Sequence, residues 1–375
     1  MSSQTIGVVG GGAVGLTASL ELARRDVAVT LFEQGRLGSG ATGRAAGICY
    51  DAYVDQRDAE IAARSLDRFR ELGVLTEQPY VWFARADDEV AAAIESHVDG
   101  MQRAGRDVSL VEPAAVSERF PGLVTDDVTT AAIARNAGYV DTTEYVELVA
   151  ARAADAGVSI ETQTPVTVTE QGTIQTADGS HSFDAVLVTA GAGTVDVLEA
   201  TEFDPAVRCY RTQVLVANSA ESGTIGGVPM FYDASEEWYG RPTADGVLAG
   251  DGSELYAGPP ADYERETDAS FRTERMAALE QRIDGLVEIS DAWAGLCTAT
   301  PDRDPLVGEC LPGLYVATGF CGHGFMRSPA IGAAIAEQIL GGDPIAGFEP
   351  TRFDGTESIE LPVGVTESDA EQQFE

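Results

Sequence analysis

Six consecutive residues, Gly10-Gly11-Gly12-Ala13-Val14-Gly15, constrain the fold of this chain more than any other stretch. They follow the apolar run Ile6 to Val9, which reads as a buried parallel strand that breaks at Gly10. They open a segment, about Ala13 to Arg25, in which Leu16, Leu20 and Ala23 fall at helical spacing. Glycine at position 12 lets the backbone approach a pyrophosphate, and glycine at position 15 lets the helix pack close on the strand before it. A second strand, Val27 to Phe32, ends on Glu33, 18 residues after Gly15. A carboxylate there can accept hydrogen bonds from both hydroxyls of an adenosine ribose. A glycine cluster alone often marks only a tight turn. Strand, helix, second strand and terminal acid in register point instead to a dinucleotide site, for FAD or NAD.

Composition narrows what such a site can belong to. The 375 residues suffice for two interpenetrating domains with a sizeable core. Acidic residues number 61 against 24 basic ones, a formal charge of −37, and all 24 are arginine. The absence of lysine excludes a Schiff-base lysine, a P-loop lysine and any lysine serving a flavin or a substrate carboxylate. An acidic excess spread along the whole chain reads as halophilic, because a short Debye length screens self-repulsion in high salt. With no basic patch to hold phosphates, neither nucleic acid nor an anionic membrane surface is an expected partner. Cys49, Cys209, Cys297, Cys310 and Cys321 form no C-x-x-C pair, so reduced thiols and no metal site are expected. The N-terminus shows no charged n-region or apolar h-region, and no apolar run approaches the ~18 residues of a membrane span. A soluble, cytoplasmic protein is the expectation.

Beyond Glu33, the loop Gly35 to Ile48 is rich in small residues, as backbone lying flat against a large planar ligand would be. Residues about 57 to 73 read as an amphipathic helix, and Tyr80 to Ala84 as a strand that begins a second block. Gly138-Tyr139-Val140-Asp141 leads into a helix, Thr143 to Ala156, and Phe183 to Val188 is a buried strand running into a second glycine turn. Residues about 206 to 295 look mainly β, with strands expected at Gln213 to Ala217, Met230 to Tyr232, Glu237 to Tyr239 and Gly246 to Gly250. A last helix is expected from Pro329 to Leu340.

Five motifs in order carry a resemblance over nearly the whole chain to about residue 350: Gly10 to Gly15 with Glu33, Gly38 to Gly47, Gly138 to Asp141, Val186 to Gly193, and Trp293 to Gly308 with Gly319 to Ile331. The chain resembles the FAD-dependent amine and amino-acid oxidoreductases, which include sarcosine oxidase, glycine oxidase, D-amino-acid dehydrogenase and the β subunit of L-proline dehydrogenase. The resemblance implies an α/β fold, with a Rossmann-like FAD-binding domain built from discontinuous segments and an inserted β-rich α+β substrate domain. The expected FAD segments are 1–79, 138–205 and 296–353, the substrate domain 80–137 and 206–295, and 354–375 an acidic, disordered tail. Carried over, Gly10, Gly12, Ala13, Val14, Gly15, Glu33 and Gln34 hold the ADP half of FAD. Thr42, Gly43, Arg44 and Ala46 pass along the ribityl and ring, Val166 approaches the adenine, and Ala190 and Gly191 the pyrophosphate. Gly322, His323, Gly324, Phe325 and Met326 lie by the pyrimidine end of the flavin.

Departures from the family pattern matter as much. Ala41 stands at a loop position where some members link FAD through histidine, and Cys297 precedes Thr300-Pro301-Asp302 by a spacing other than that of the linking cysteine. Non-covalent FAD is therefore implied. Gly295-Leu296-Cys297-Thr298 replaces the G-L-R-P that bears a carboxylate-binding arginine in glycine oxidase-like members. Sarcosine oxidase has a lysine after G-H-G-F, where this chain has Met326 and then Arg327. It has an oxygen-activating lysine on the strand that here reads Gly246 to Gly250. The expected activity is oxidation of the C–N bond of a small amino acid (sarcosine, dimethylglycine, L-proline or a D-amino acid) by hydride transfer to flavin N5. A dehydrogenase is expected ahead of a fast oxidase, with oxygen, a quinone or a protein as electron acceptor and oligomerisation open. His323, Arg241, Tyr239, Tyr50 and Arg327 are the candidates for substrate chemistry, with Arg44 a further carboxylate partner. A flavoprotein oxidising a 2-hydroxy acid, an FAD-carrying subunit of an electron-transfer complex and an NAD-dependent reductase are the alternatives.

Overall fold

The computed structural model describes residues 4–85, 88–169, 172–219, 227–354 and 357–359. Most of the expected disordered tail lies outside the described residues.

The strand Thr5–Val9 is the centre of a six-stranded sheet. It pairs in parallel with Ala28–Phe32 on one side and with Ala185–Val188 on the other. Ser159–Glu161 extends the first side, Leu314–Thr318 the second, and Leu306–Leu311 closes that edge antiparallel. Because successive segments leave the central strand in opposite directions, a crevice opens at the carboxyl ends of Thr5–Val9 and Ala185–Val188, where open α/β sheets bind ligands. This is a Rossmann-like arrangement. Helix Ala13–Ala23 is buried over almost its whole surface, since the sheet lies on one side and helix Gly324–Ile339 on the other. The two helices touch so closely that a Cβ on Gly332 would sit 2.6 Å from Thr17 Cβ.

A second, eight-stranded sheet has the order Leu286–Ala299, Arg208–Ser219, Gly246–Tyr256, Trp238–Pro242, Met230–Asp233, Tyr80–Ala84, Thr130–Ala134, Val108–Val111. The period of two divides its side chains. Val81, Phe83, Phe231, Trp238 and Leu215 form one apolar layer with Leu279 of helix Ala269–Arg282. Tyr80, Trp82, Met230 and Tyr232 point the other way, into the core shared with the Rossmann-like half. Two small three-stranded sheets complete the molecule, one of them joining Ile48–Tyr50, Ala137–Val140 and Leu75–Glu77.

Several elements differ from the sequence expectation. Strand Leu286–Ala299 runs unbroken through position 296, paired along Arg208–Ser219, itself longer than the expected Gln213 to Ala217. Ile48–Tyr50 is a strand that begins on the last residue of the segment read as loop. The last helix begins at Gly324, five residues before Pro329, which lies inside it. Proline has no N–H for the carbonyl of Phe325, and Ser328 Oγ donates to that carbonyl at 2.7 Å instead.

Candidate functional site

The turn after Thr5–Val9 depends on its glycines. Gly10 takes φ +107°, and a Cβ on Gly15 would lie 2.1 Å from the Gly10 carbonyl oxygen. Gly12 caps helix Ala13–Ala23 without a side-chain hydrogen bond, and no acid occupies the first turn. The Ala13 N–H donates to Thr42 Oγ1 at 3.1 Å, which docks the Thr42–Arg44 turn on the helix start. Glu33 Oε2 accepts from the Gly11 N–H at 2.8 Å and Oε1 from the Gly35 N–H at 2.7 Å. A carboxylate has about four acceptor sites, so both oxygens keep capacity for ribose hydroxyls. Gln34 is exposed beside it, and Val166 packs half-buried on the cluster that contains Phe32.

From this turn a single cavity runs to the eight-stranded sheet. Gly12, Ala13, Val14, Thr42, Arg44, Ala46 and Gly191 line one end, and Gly322 to Met326 the middle. Gly10, Gly15, Gly43 and Ala190 do not line it; Gly43 is pressed against the Gly38 carbonyl, where a Cβ would come within 2.5 Å. Helix Gly324–Ile339 also starts on the cavity, with His323 at its N-cap making no side-chain bond to the first-turn amides and no acid in its first turn. Two helix N-termini with no acid in the first turn therefore converge on one space, a donor set suited to a pyrophosphate and to an electron-rich ring.

The candidates for substrate chemistry divide. His323, 6 % exposed, faces the cavity with its ring edge-on to Tyr53 at 5.8 Å. Tyr50 and Tyr239 line it too, Tyr50 stacked on Tyr53 and tilted against Tyr80. Tyr239 lies over Gly250, where a Cβ would come within 2.3 Å of its hydroxyl, and burial pushes its phenol well up. Arg241 and Arg327 do not line the cavity. Arg241 donates to the Ala46 and Pro242 carbonyls and lies 4.8 Å over the Tyr139 ring; burial pulls its guanidinium down. Arg327 is 4 % exposed, donates to Asp58 Oδ1 at 3.2 Å and covers the Tyr53 ring. Arg44 lines the cavity but donates to the carbonyls of Ser39 and Gly40, while its own carbonyl accepts from Trp293 Nε1 at 3.0 Å. Cys297 faces the cavity with a thiol that burial pushes up to about 11, a poor nucleophile.

Sequence reasoning missed Tyr80, Tyr210, Thr212, Thr298, Glu237 and Asp251, all of which line the cavity. Alternation along Arg208–Ser219 places Tyr210, Thr212 and Val214 on one face, but the expected strand began only at Gln213. Glu237 stands in the turn before Trp238–Pro242 at φ +52°, a conformation the sequence does not advertise.

Residues 5–338 match the sequence profile described as FAD dependent oxidoreductase. The chain belongs to this family. As an FAD-dependent oxidoreductase it is 27 % identical over 383 residues to glycine oxidase of Pseudomonas putida, covering 95 % of this chain and 99 % of that one. It is 25 % identical over 395 residues to gamma-glutamylputrescine oxidoreductase of Escherichia coli, covering 95 % and 89 %. In structure it is similar to L-proline dehydrogenase from P. horikoshii, with a TM-score of 0.83 at 24 % identity over 95 % and 99 % of the two chains. The cofactor of the family is FAD, and the acid-free helix starts, the glycine cradle and Glu33 fit it. No helix of the described residues is long and apolar enough to cross a membrane.

Proposed function

We propose that this FAD-dependent oxidoreductase oxidises the C–N bond of an amine or amino-acid-like substrate. The observation that carries the reading is the continuity of one cavity, from the glycine cradle to an aromatic wall of Tyr50, Tyr80 and Tyr239. The relatives' printed names support it, since glycine and gamma-glutamylputrescine both offer a C–N bond. Bound FAD supplies a two-electron acceptor for a hydride. The carbon next to nitrogen gives up that hydride, the nitrogen releases a proton to solvent, and the imine so formed is hydrolysed to a carbonyl and an amine. The chain's own part is to hold the substrate against the flavin edge, to exclude water with its tyrosines, and to aim the start of helix Gly324–Ile339 at developing negative charge.

We place the enzyme among dehydrogenases rather than fast oxidases, because no lysine exists in the sequence to activate oxygen. FAD is held without a covalent bond; Ala41 carries no nucleophile, and burial raises both Cys297 and Cys321. Acid precipitation then leaves the yellow colour in the supernatant. The test of the reading is anaerobic titration of the purified holoprotein with sarcosine, dimethylglycine, L-proline, D-alanine, glycine and a 2-hydroxy acid, followed through flavin absorbance. Bleaching by an amine and slow recovery in air support it. Bleaching by the hydroxy acid alone, or full recovery in air as fast as reduction, contradicts the substrate class or the dehydrogenase assignment respectively.

A further inference from the structure

All 24 permanently charged basic residues of this sequence are arginines, and every one lies within the described residues. Only Arg44 among them lines the cavity, and it is turned onto the Ser39 and Gly40 carbonyls at the cofactor end. The end formed by the eight-stranded sheet thus offers no arginine to a substrate carboxylate. It offers acids. Asp251 is neutralised by Arg275, with which it pairs. Glu237, exposed at the mouth, has no hydrogen bond or ion pair among the described residues, and the turn holds it at φ +52°, where side chains other than glycine rarely sit. Deeper in, Tyr80 belongs to the same lining and is fully buried; with the Trp82 side chain beside it, its hydroxyl makes no hydrogen bond of good geometry among the described residues. A buried hydroxyl left in that state calls for a polar group on the ligand. Tyr50, Tyr80 and Tyr239 belong to the same lining, an aromatic surrounding that favours a cation over an anion.

We propose that the substrate carries a second, protonated nitrogen remote from the bond that is oxidised, held at the mouth by Glu237, while Tyr80 Oη meets the polar group at the reacting end. This rests on the C–N oxidation proposed above and specifies its substrate class: a diamine or an amine with a cationic tail, rather than a simple amino acid anchored by its carboxylate. The tail accounts for the missing arginine, because the site has no carboxylate to hold.

The test uses three N-methylamines of matched length with the holoprotein at one fixed salt concentration: N-methyl-1,4-diaminobutane, N-methylbutylamine and 4-(methylamino)butanoate. Their distal ends are cationic, neutral and anionic, and the reacting group is the same. Anaerobic flavin bleaching is expected to be about tenfold faster per molar for the cationic amine than for the neutral one, and slowest for the anion. Glu237→Gln, a near-isosteric change on an exposed turn, is expected to reduce the cationic-to-neutral ratio by about tenfold. Tyr80→Phe keeps the ring and is expected to slow all three alike. Bleaching by the anion as fast as by the cation, or a ratio that Glu237→Gln leaves unchanged, overturns the proposal. Bleaching by sarcosine or L-proline with none of the three also overturns it and leaves the C–N reading standing. A yellow protein that no amine bleaches overturns that reading instead.

Discussion

Glu33 illustrates how much one side chain must do at this site. Its two oxygens accept from the amides of Gly11 and Gly35, so the carboxylate fixes the glycine turn and the next loop before any ligand arrives. Hydrogen bonds to a charged acceptor contribute about 1.5–3 kcal/mol each. Glu33→Ala is therefore expected to weaken FAD binding roughly 10- to 100-fold, read as the dissociation constant from flavin fluorescence. Unchanged affinity would show that the turn holds its shape without the acid. Glu33 and the glycines were legible in the sequence because strand, turn and helix are contiguous and each residue type answers a local steric demand. Tyr80 and Glu237 were not. Their facing the cavity depends on the hairpin of Met230–Asp233 with Trp238–Pro242 and on its pairing with Tyr80–Ala84, a contact about 150 residues apart in sequence that no local pattern encodes. Arg241 and Arg327 were singled out for the opposite reason: a charge near a motif is visible, but the carbonyls and the carboxylate that engage it are not.

Helix Gly324–Ile339 positions the site through its neighbours. It packs on helix Ala13–Ala23 by the Gly332–Thr17 contact and on helix Gln56–Leu72 through the buried pair Arg327–Asp58, whose side chains are 4 % and 8 % exposed. Removing Asp58 takes a buried, charged hydrogen-bond partner from Arg327, a loss of about 1.5–3 kcal/mol. Asp58→Ala is expected to lower the urea midpoint accordingly without altering the rank order of amines that bleach the flavin. A shifted rank order with an unmoved midpoint would return Arg327 to the substrate site. The helix was expected from Pro329 onward, since proline usually marks a first turn. Ser328, by satisfying the Phe325 carbonyl, lets the helix begin earlier and brings its amides to the cavity. Strand Leu286–Ala299 escaped notice because its exposed first half, Leu286 to Asp291, has no clean alternation; a bulge near Val216 and Ala217 shifts its register.

Long-range charge governs how these parts stay together. Asp304, hydrogen-bonded by Arg57 at 2.6 Å, joins helix Gln56–Leu72 to the segment after the eight-stranded sheet. Burial, reinforced by nearby Asp58, raises its carboxyl to about 6 against the opposing pull of Arg57. The folded value lies above the unfolded one, so the folded state keeps a proton that the unfolded chain releases. Stability from this group is full below about pH 4 and is lost as pH rises through about 6, by at most roughly 3 kcal/mol. Asp304→Asn is expected to lack that slope, so the difference in unfolding free energy between the two proteins changes from pH 4 to 7; parallel curves over that range would contradict it. Across the surface the formal charge of −37 dominates. Raising salt from about 0.1 M to about 1 M shortens the Debye length from ~10 to ~3 Å, and the melting temperature is expected to climb over that range. A flat or falling curve would remove the halophilic reading.

The central claim, that the flavin takes its electrons from a carbon–nitrogen bond, is tested most directly by an anaerobic single turnover with product analysis. One equivalent of the preferred amine is mixed with the holoprotein, and bleached flavin, carbonyl product and released amine are counted together. One carbonyl is expected for each flavin bleached, with one amine or ammonia released from an acyclic substrate, or one ring-opened amino-carbonyl from a cyclic one. Flavin bleached by an acyclic amine without release of an amine or ammonia would contradict it.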